Sequence, residues 1–107
     1  MIADTPKTPY YAVIFTSIRT EGDKGYDIMA ERMVELAHQQ DGFLGVESAR
    51  NEVGITVSYW RDLASIKKWK EQAEHKIARE RGRAVWYVSF KTRIAKVESD
   101  YGFSINN

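Results

Sequence analysis

Four stretches of the chain are rich in apolar, β-branched and aromatic residues, one with clean alternation, and in two others apolar residues recur at every third or fourth position. Alternation marks a strand and the 3–4 spacing marks one face of a helix. Residues 10–18 (YYAVIFTSI) predict a first strand with Tyr11, Val13 and Phe15 on one side and Ala12, Ile14 and Ile18 on the other. Over residues 26–40 the period turns helical: Tyr26, Met29, Ala30, Met33, Leu36 and Ala37 form one stripe. Asp41-Gly42 is the predicted stop, with Gly42 in the left-handed conformation. Residues 43–50 (FLGVESAR) and 54–61 (GITVSYWR) predict a hairpin closed at Asn51 and Glu52. Asp62 stands where a helix N-cap belongs, and Leu63, Ile66, Trp69, Ala73 and Ile77 follow as a second stripe towards a stop at Gly82. The register slips near Ala73, which leaves room for a break into two short helices. Residues 85–97 (VWYVSFKTRIAKV) predict a long last strand. Strict alternation places Trp86, Val88, Phe90, Thr92 and Ile94 on one side and Val85, Tyr87 and Ser89 on the other.

The order β-α-β-β-α-β is the ferredoxin-like split pattern of the α+β class. Right-handed crossovers then put both helices on one face of a four-stranded antiparallel sheet. The helices are also matched in charge: residues 21–41 hold six acids and two bases, and residues 67–83 hold seven bases and three acids. The basic run therefore reads first as a solvated helix face lying beside an acidic one.

The first strand is apolar on both sides, so the face without helices also needs a cover. A second copy packed sheet against sheet, as a homodimeric barrel, supplies it. An RNA-binding sheet is the other standard use of such a face, but GITVSYWR lacks the basic and aromatic pattern that stacks bases. Residues 1–9, with Pro6 and Pro9, are expected as a flexible lead-in and residues 10–98 as the domain. Residues 99–107 are expected as an arm that docks through Tyr101, Phe103 and Ile105.

Composition narrows the chemistry. The 107 residues suit one domain. A net charge of +1 offers no attraction to nucleic acid or to a membrane surface. No cysteine is present, so disulfides, thiolate catalysis and cysteine metal sites are excluded. No apolar run spans a bilayer and no secretory leader is visible, so a cytoplasmic protein is expected. The segment GDKG is not a phosphate loop, and no HExxH or Ser-His-Asp arrangement stands out.

Four segments together carry a resemblance: DGFLGVES, VSYWRDLASIKKWK, EHKIARERGR and VWYVSFKTRIAKVESDYGF. Over about residues 10–103 the chain resembles the antibiotic biosynthesis monooxygenase family of dimeric α+β barrel proteins. The resemblance implies that fold, a homodimer, and an oxygenase that needs no metal, flavin or other cofactor and acts with O2 on a small aromatic or polyphenolic molecule. Such a protein must hold a flat substrate, exclude water and deprotonate or polarise one oxygen.

Trp69 matches the family's helix tryptophan and reads as a pocket wall or as a core residue. His75 follows six residues later, about 240° round an ideal helix, and reads as a general base or as a boundary histidine. Tyr59, Trp60 and Arg61 end the third strand. Tyr59 and Trp60 point to opposite faces, and Arg61 either orients a phenolate or pairs with Asp62. Trp86, Tyr87 and Phe90 are further candidate lining. His38 closes the first helix, where a cation suits the dipole, and reads as structural. Two other functions stay in view: a non-catalytic, small-molecule-binding or stress-related barrel, and a relative that binds and cleaves haem. The haem reading lacks the asparagine that those relatives carry on the first strand.

Overall fold

A computed structural model describes residues 2–22, 25–79 and 86–105, with side chains for all of these except 74–79. The elements are β1 (Tyr10–Arg19), α1 (Tyr26–His38), β2 (Phe43–Arg50), β3 (Gly54–Trp60), α2 (Leu63–Arg79) and β4 (Tyr87–Val97). The strands form one antiparallel sheet in the order β2-β3-β1-β4, the ferredoxin-like topology expected from the sequence.

The pairing register sorts the side chains. Tyr11 opposes Trp60, Val13 opposes Ser58, Phe15 opposes Thr56 and Ser17 opposes Gly54. These residues share the helix-side face, because residues directly opposite in a ladder point the same way. Their core is Ala37 of α1, Ile66 of α2 and Trp60 of β3, with Tyr11, Val13, Phe43 and Trp69 packed against it. Tyr10, Ala12, Ile14, Tyr59, Val57 and Ile55 share the opposite, open face.

Helix α1 buries Met29 and Ala37 of its predicted stripe and stops at His38, earlier than the sequence suggests. Gln40 completes the ending by donating from Nε2 to the Leu36 carbonyl at 3.1 Å. Gly42 does adopt a left-handed conformation (φ 90°), but in the turn into β2 rather than as the helix cap. Asp62 caps α2 as predicted: its Oδ1 accepts from the Ser65 N–H at 2.8 Å. Helix α2 runs unbroken past Ala73 to Arg79, and the predicted stop at Gly82 lies outside the described residues. Leu63 is 54% exposed, so the buried stripe starts at Ser65 and Ile66.

Two edges depart from the sequence reading. The first is the chain's C-terminal arm, where Tyr101, Phe103 and Ile105 are at least 88% exposed and do not dock on their own chain. They follow β4, which is the last strand of the sheet and has no described neighbour beyond it. The second is the N-terminal lead-in, which lies against the open face. The Ala3 N–H donates to Glu47 Oε2 at 2.8 Å, and Thr5 Oγ1 donates to the Tyr10 hydroxyl at 2.8 Å. Gly45 leaves the space Ala3 fills, since a Cβ there would meet the Ala3 Cβ at 3.0 Å.

Candidate functional site

The helix-side face carries two aromatic groups, one at each end of the strands. At the first end Trp60 and Trp69 stack, with ring centroids 5.7 Å apart and planes 26° from parallel. Trp60 is fully buried, and its indole N–H donates to Ser58 Oγ at 2.9 Å, which leaves no orphaned polar atom. Phe43 meets Trp60 edge-on at 5.3 Å and His38 meets Phe43 at 4.7 Å. Trp69 packs against the buried core through this stack. His38 packs on this cluster from the last turn of α1, in keeping with its structural reading.

At the other end Phe15, Tyr87 and Phe90 form a triangle with centroids 5.4–5.5 Å apart. Tyr26 of α1 closes it, edge-on to Tyr87 at 5.7 Å and to Trp86 at 6.0 Å. Strict alternation had put Tyr87 opposite Phe90. A bulge resets it: Ile18 pairs with Ser89 but Arg19 pairs with Tyr87, so Val88 is the extra residue. Between the two groups the face is lined by Val13, Thr56 and Ile94, and Phe90 and Ile94 on β4 remain 39% and 50% exposed.

Two arginines converge on the second group. The Arg19 guanidinium lies 3.8 Å from the centroid of the Tyr26 ring and that of Arg50 lies 5.8 Å from it. Arg50 crosses β3 over Gly54 and donates from Nη2 to Ser17 Oγ at 2.5 Å. Both arginines line an open hollow of about 400 Å³, together with Thr20, Asn51, Asp27 and Glu52. A second hollow, of about 600 Å³, follows α1 along Ile28, Glu31, Val34 and Glu35. Neither is lined by a residue singled out from the sequence. Arg50 escapes a sequence reading because its role depends on a glycine across the hairpin.

The other predicted residues separate. Tyr59 lies on the open face, donates to Glu47 Oε1 at 2.7 Å and meets Tyr10 edge-on at 5.8 Å. Burial and the Glu47 carboxylate push its phenol up to about 12, while the same bond with the Ala3 N–H holds Glu47 below the usual carboxylate range. The Tyr10 hydroxyl donates to Asp100, which raises the Tyr10 phenol and ties the root of the C-terminal arm to this face. Tyr59 therefore does not join Trp60 and Trp69 in one site. Arg61 lies at the surface, 3.0 Å from Asp41 and 3.2 Å from Asp62, which is the pairing reading of it. Trp86 is buried against Tyr26. Burial, followed by the Tyr26 hydroxyl at 3.4 Å, pushes the Tyr87 phenol well above its ordinary value, so Tyr87 is a neutral donor. His75 belongs to α2, and its side chain lies outside those described.

Among the described residues no group of three or more His, Cys, Asp or Glu side chains is placed to hold a metal, and no helix is long and apolar enough to cross a membrane.

Comparison with known proteins agrees with this architecture. The family model for antibiotic biosynthesis monooxygenases matches residues 9–81. The "Uncharacterized protein YqjZ" of Bacillus subtilis (strain 168) is 51% identical over 107 residues, covering 98% of this chain and 94% of its own. Among solved structures, a mutant of SnoaB, a cofactor-independent oxygenase from Streptomyces nogalater, superposes with a TM-score of 0.70 at 10% identity, covering 85% of this chain and 95% of that one. Rv0793 from Mycobacterium tuberculosis superposes with a TM-score of 0.69 at 11% identity, covering 89% and 100%. At such identities the superpositions speak for the fold alone. The family match and the shared topology together establish that this chain belongs to the antibiotic biosynthesis monooxygenase family.

Proposed function

We propose that this protein is a cofactor-independent monooxygenase that acts with O2 on a small aromatic or polyphenolic substrate, and that it works as a homodimer. The observation that carries the reading is the aromatic group of Phe15, Tyr87 and Phe90 on the helix-side face, where Phe90 is 39% exposed, with Trp69 stacked on the buried Trp60 at the other end of that face. Flat aromatic walls favour a flat, electron-rich ring. Membership of the antibiotic biosynthesis monooxygenase family supports the same chemistry.

In the proposed reaction a bound phenol or anthrone loses a proton and the resulting anion passes one electron to O2. Recombination forms a C–O bond to the ring carbon. Loss of water then leaves a quinone carbonyl, so one oxygen atom is retained and the other departs as water. Tyr59 and Tyr87 are unsuited to take the first proton, because both phenols are raised and stay neutral near pH 7. His75, six residues beyond Trp69 on α2, is the proposed proton acceptor. The second copy is proposed to cover the open face, where Ile18 and Ile55 are 43% and 46% exposed.

A thermal-shift panel of polyphenols, anthrones, flavins and haemin tests the binding half of this reading. A ligand at about 100 times its Kd adds about 2.7 kcal/mol to stability. Stabilisation by a polyphenol or anthrone is the expected result. Stabilisation by haemin alone, or by nothing in the panel, would overturn it.

A further inference from the structure

The hollow at the far end of the helix-side face has a feature that the proposed oxygenase chemistry does not use. Arg50 ends β2, yet its guanidinium is held over β1. It reaches there by lying across Gly54, where any Cβ would overlap the guanidinium itself. Ser17, which is 1% exposed, takes one of its N–H groups. Among the described residues no carboxylate lies within ion-pair distance of Arg50, so its remaining N–H groups face the hollow unmatched by charge. Arg19 stands on the same rim over Tyr26, with Asp27 3.9 Å from its guanidinium. Asp27 is 81% exposed, and it and Glu52 also line the rim.

A guanidinium presents a fork that fits a carboxylate. Beside the hollow lies the group of Phe15, Tyr87 and Phe90: Ser17, which holds Arg50, pairs with Phe90 across β1 and β4. The juxtaposition of a cation anchored through Gly54 and Ser17 with an apolar aromatic group on the adjoining strands suits one ligand class, an aromatic ring bearing an anionic substituent. We propose that Arg50, supported by Arg19, forms a subsite for a ring carboxylate, so that the preferred ligands of this protein are aromatic acids rather than neutral phenols. The inference rests on the reading above that an aromatic ligand occupies the helix-side face.

The test uses a matched pair of probes on the full chain, 1-naphthol and 1-hydroxy-2-naphthoate, with affinity measured by calorimetry. The acid is expected to bind at least about 10-fold tighter, with the gain shrinking as salt screens the charge. Arg50→Gln is expected to remove that gain while leaving 1-naphthol binding unchanged. Gly54→Ala is expected to do the same, because its new methyl displaces only the far end of a flexible side chain. Circular dichroism of both variants checks that the fold is kept. If 1-naphthol binds and the acid gains nothing, or if the gain survives Arg50→Gln, the subsite is wrong and the aromatic reading stands. If the acid binds through Arg50 but no aromatic consumes O2, the subsite stands and the oxygenase reading falls. If neither probe binds, both are overturned.

Discussion

Replacing Gly42 by alanine should destabilise the protein for two separable reasons. The first is local: Gly42 has φ of 90°, and forcing an L side chain into left-handed backbone costs about 1–2 kcal/mol. The second is tertiary: the new Cβ would sit 2.7 Å from the Ser65 Cβ and closer still to its hydroxyl. Ser65 cannot easily retreat, because it is 6% exposed and its N–H is held by Asp62. Overpacking of this kind costs about 1–3 kcal/mol. The sum, about 2–5 kcal/mol, is a large part of the 5–15 kcal/mol that a domain of this size usually has. It corresponds to a Tm lowered by at least about 8 °C. Urea unfolding followed by circular dichroism measures it, and the double variant Gly42→Ala/Ser65→Gly separates the parts. The pair should be less unstable than the two single costs summed, by at least about 1 kcal/mol, because the overlap is gone while the backbone cost stays. A loss below about 0.5 kcal/mol for Gly42→Ala, or strict additivity in the cycle, would refute the packing of the β2 turn against the start of α2.

Three further outcomes follow from the geometry. Glu47 has a depressed folded pKa, so its contribution is present above the unfolded value of about 4.3 and is lost as pH falls through the lower, folded one. Glu47→Gln should lower stability near neutral pH and flatten the acid limb of the stability profile; an unchanged limb would remove the Tyr59–Glu47–Ala3 bonds from the account. Arg61→Ala should shift Tm by no more than about 2 °C and leave aromatic binding unchanged, since its partners Asp41 and Asp62 are at the surface; a loss of binding would return Arg61 to the site. Sedimentation equilibrium should give twice the 12.3 kDa chain mass, and a clean monomer would overturn the proposed cover of the open face.

Local patterning reveals all six elements, because the strands are short β-branched and aromatic runs between turn residues and α1 carries apolar residues at helical spacing. The split between Tyr59 and Trp60 is equally legible, since neighbours on a strand must face opposite ways. What periodicity cannot carry is a change of count. The extra residue Val88 reverses the side of Tyr87, and no residue type announces it. The stripe of α2 misleads at Leu63, which is 54% exposed, while Ser65 is buried in its place against Gly42. Arg50 and Arg19 are invisible as a pair, for one ends β2 and the other β1, and they meet only once β3 is threaded between them. The N-terminal stretch reads as a flexible lead-in by its prolines, yet the Ala3 N–H bonds Glu47, 44 residues away, a partner that no sequence window brings near.

Oxygen transfer to an aromatic ring without a cofactor is the reaction proposed for this protein. Its most direct test is incubation of the purified protein with a dihydroxyanthrone under ¹⁸O2, with the product weighed by mass spectrometry. The expected product is a quinone carrying one ¹⁸O atom, formed at a rate that His75→Ala lowers by about 10²-fold or more. A product with no label, or a labelled product formed at the same rate without the protein, would contradict it.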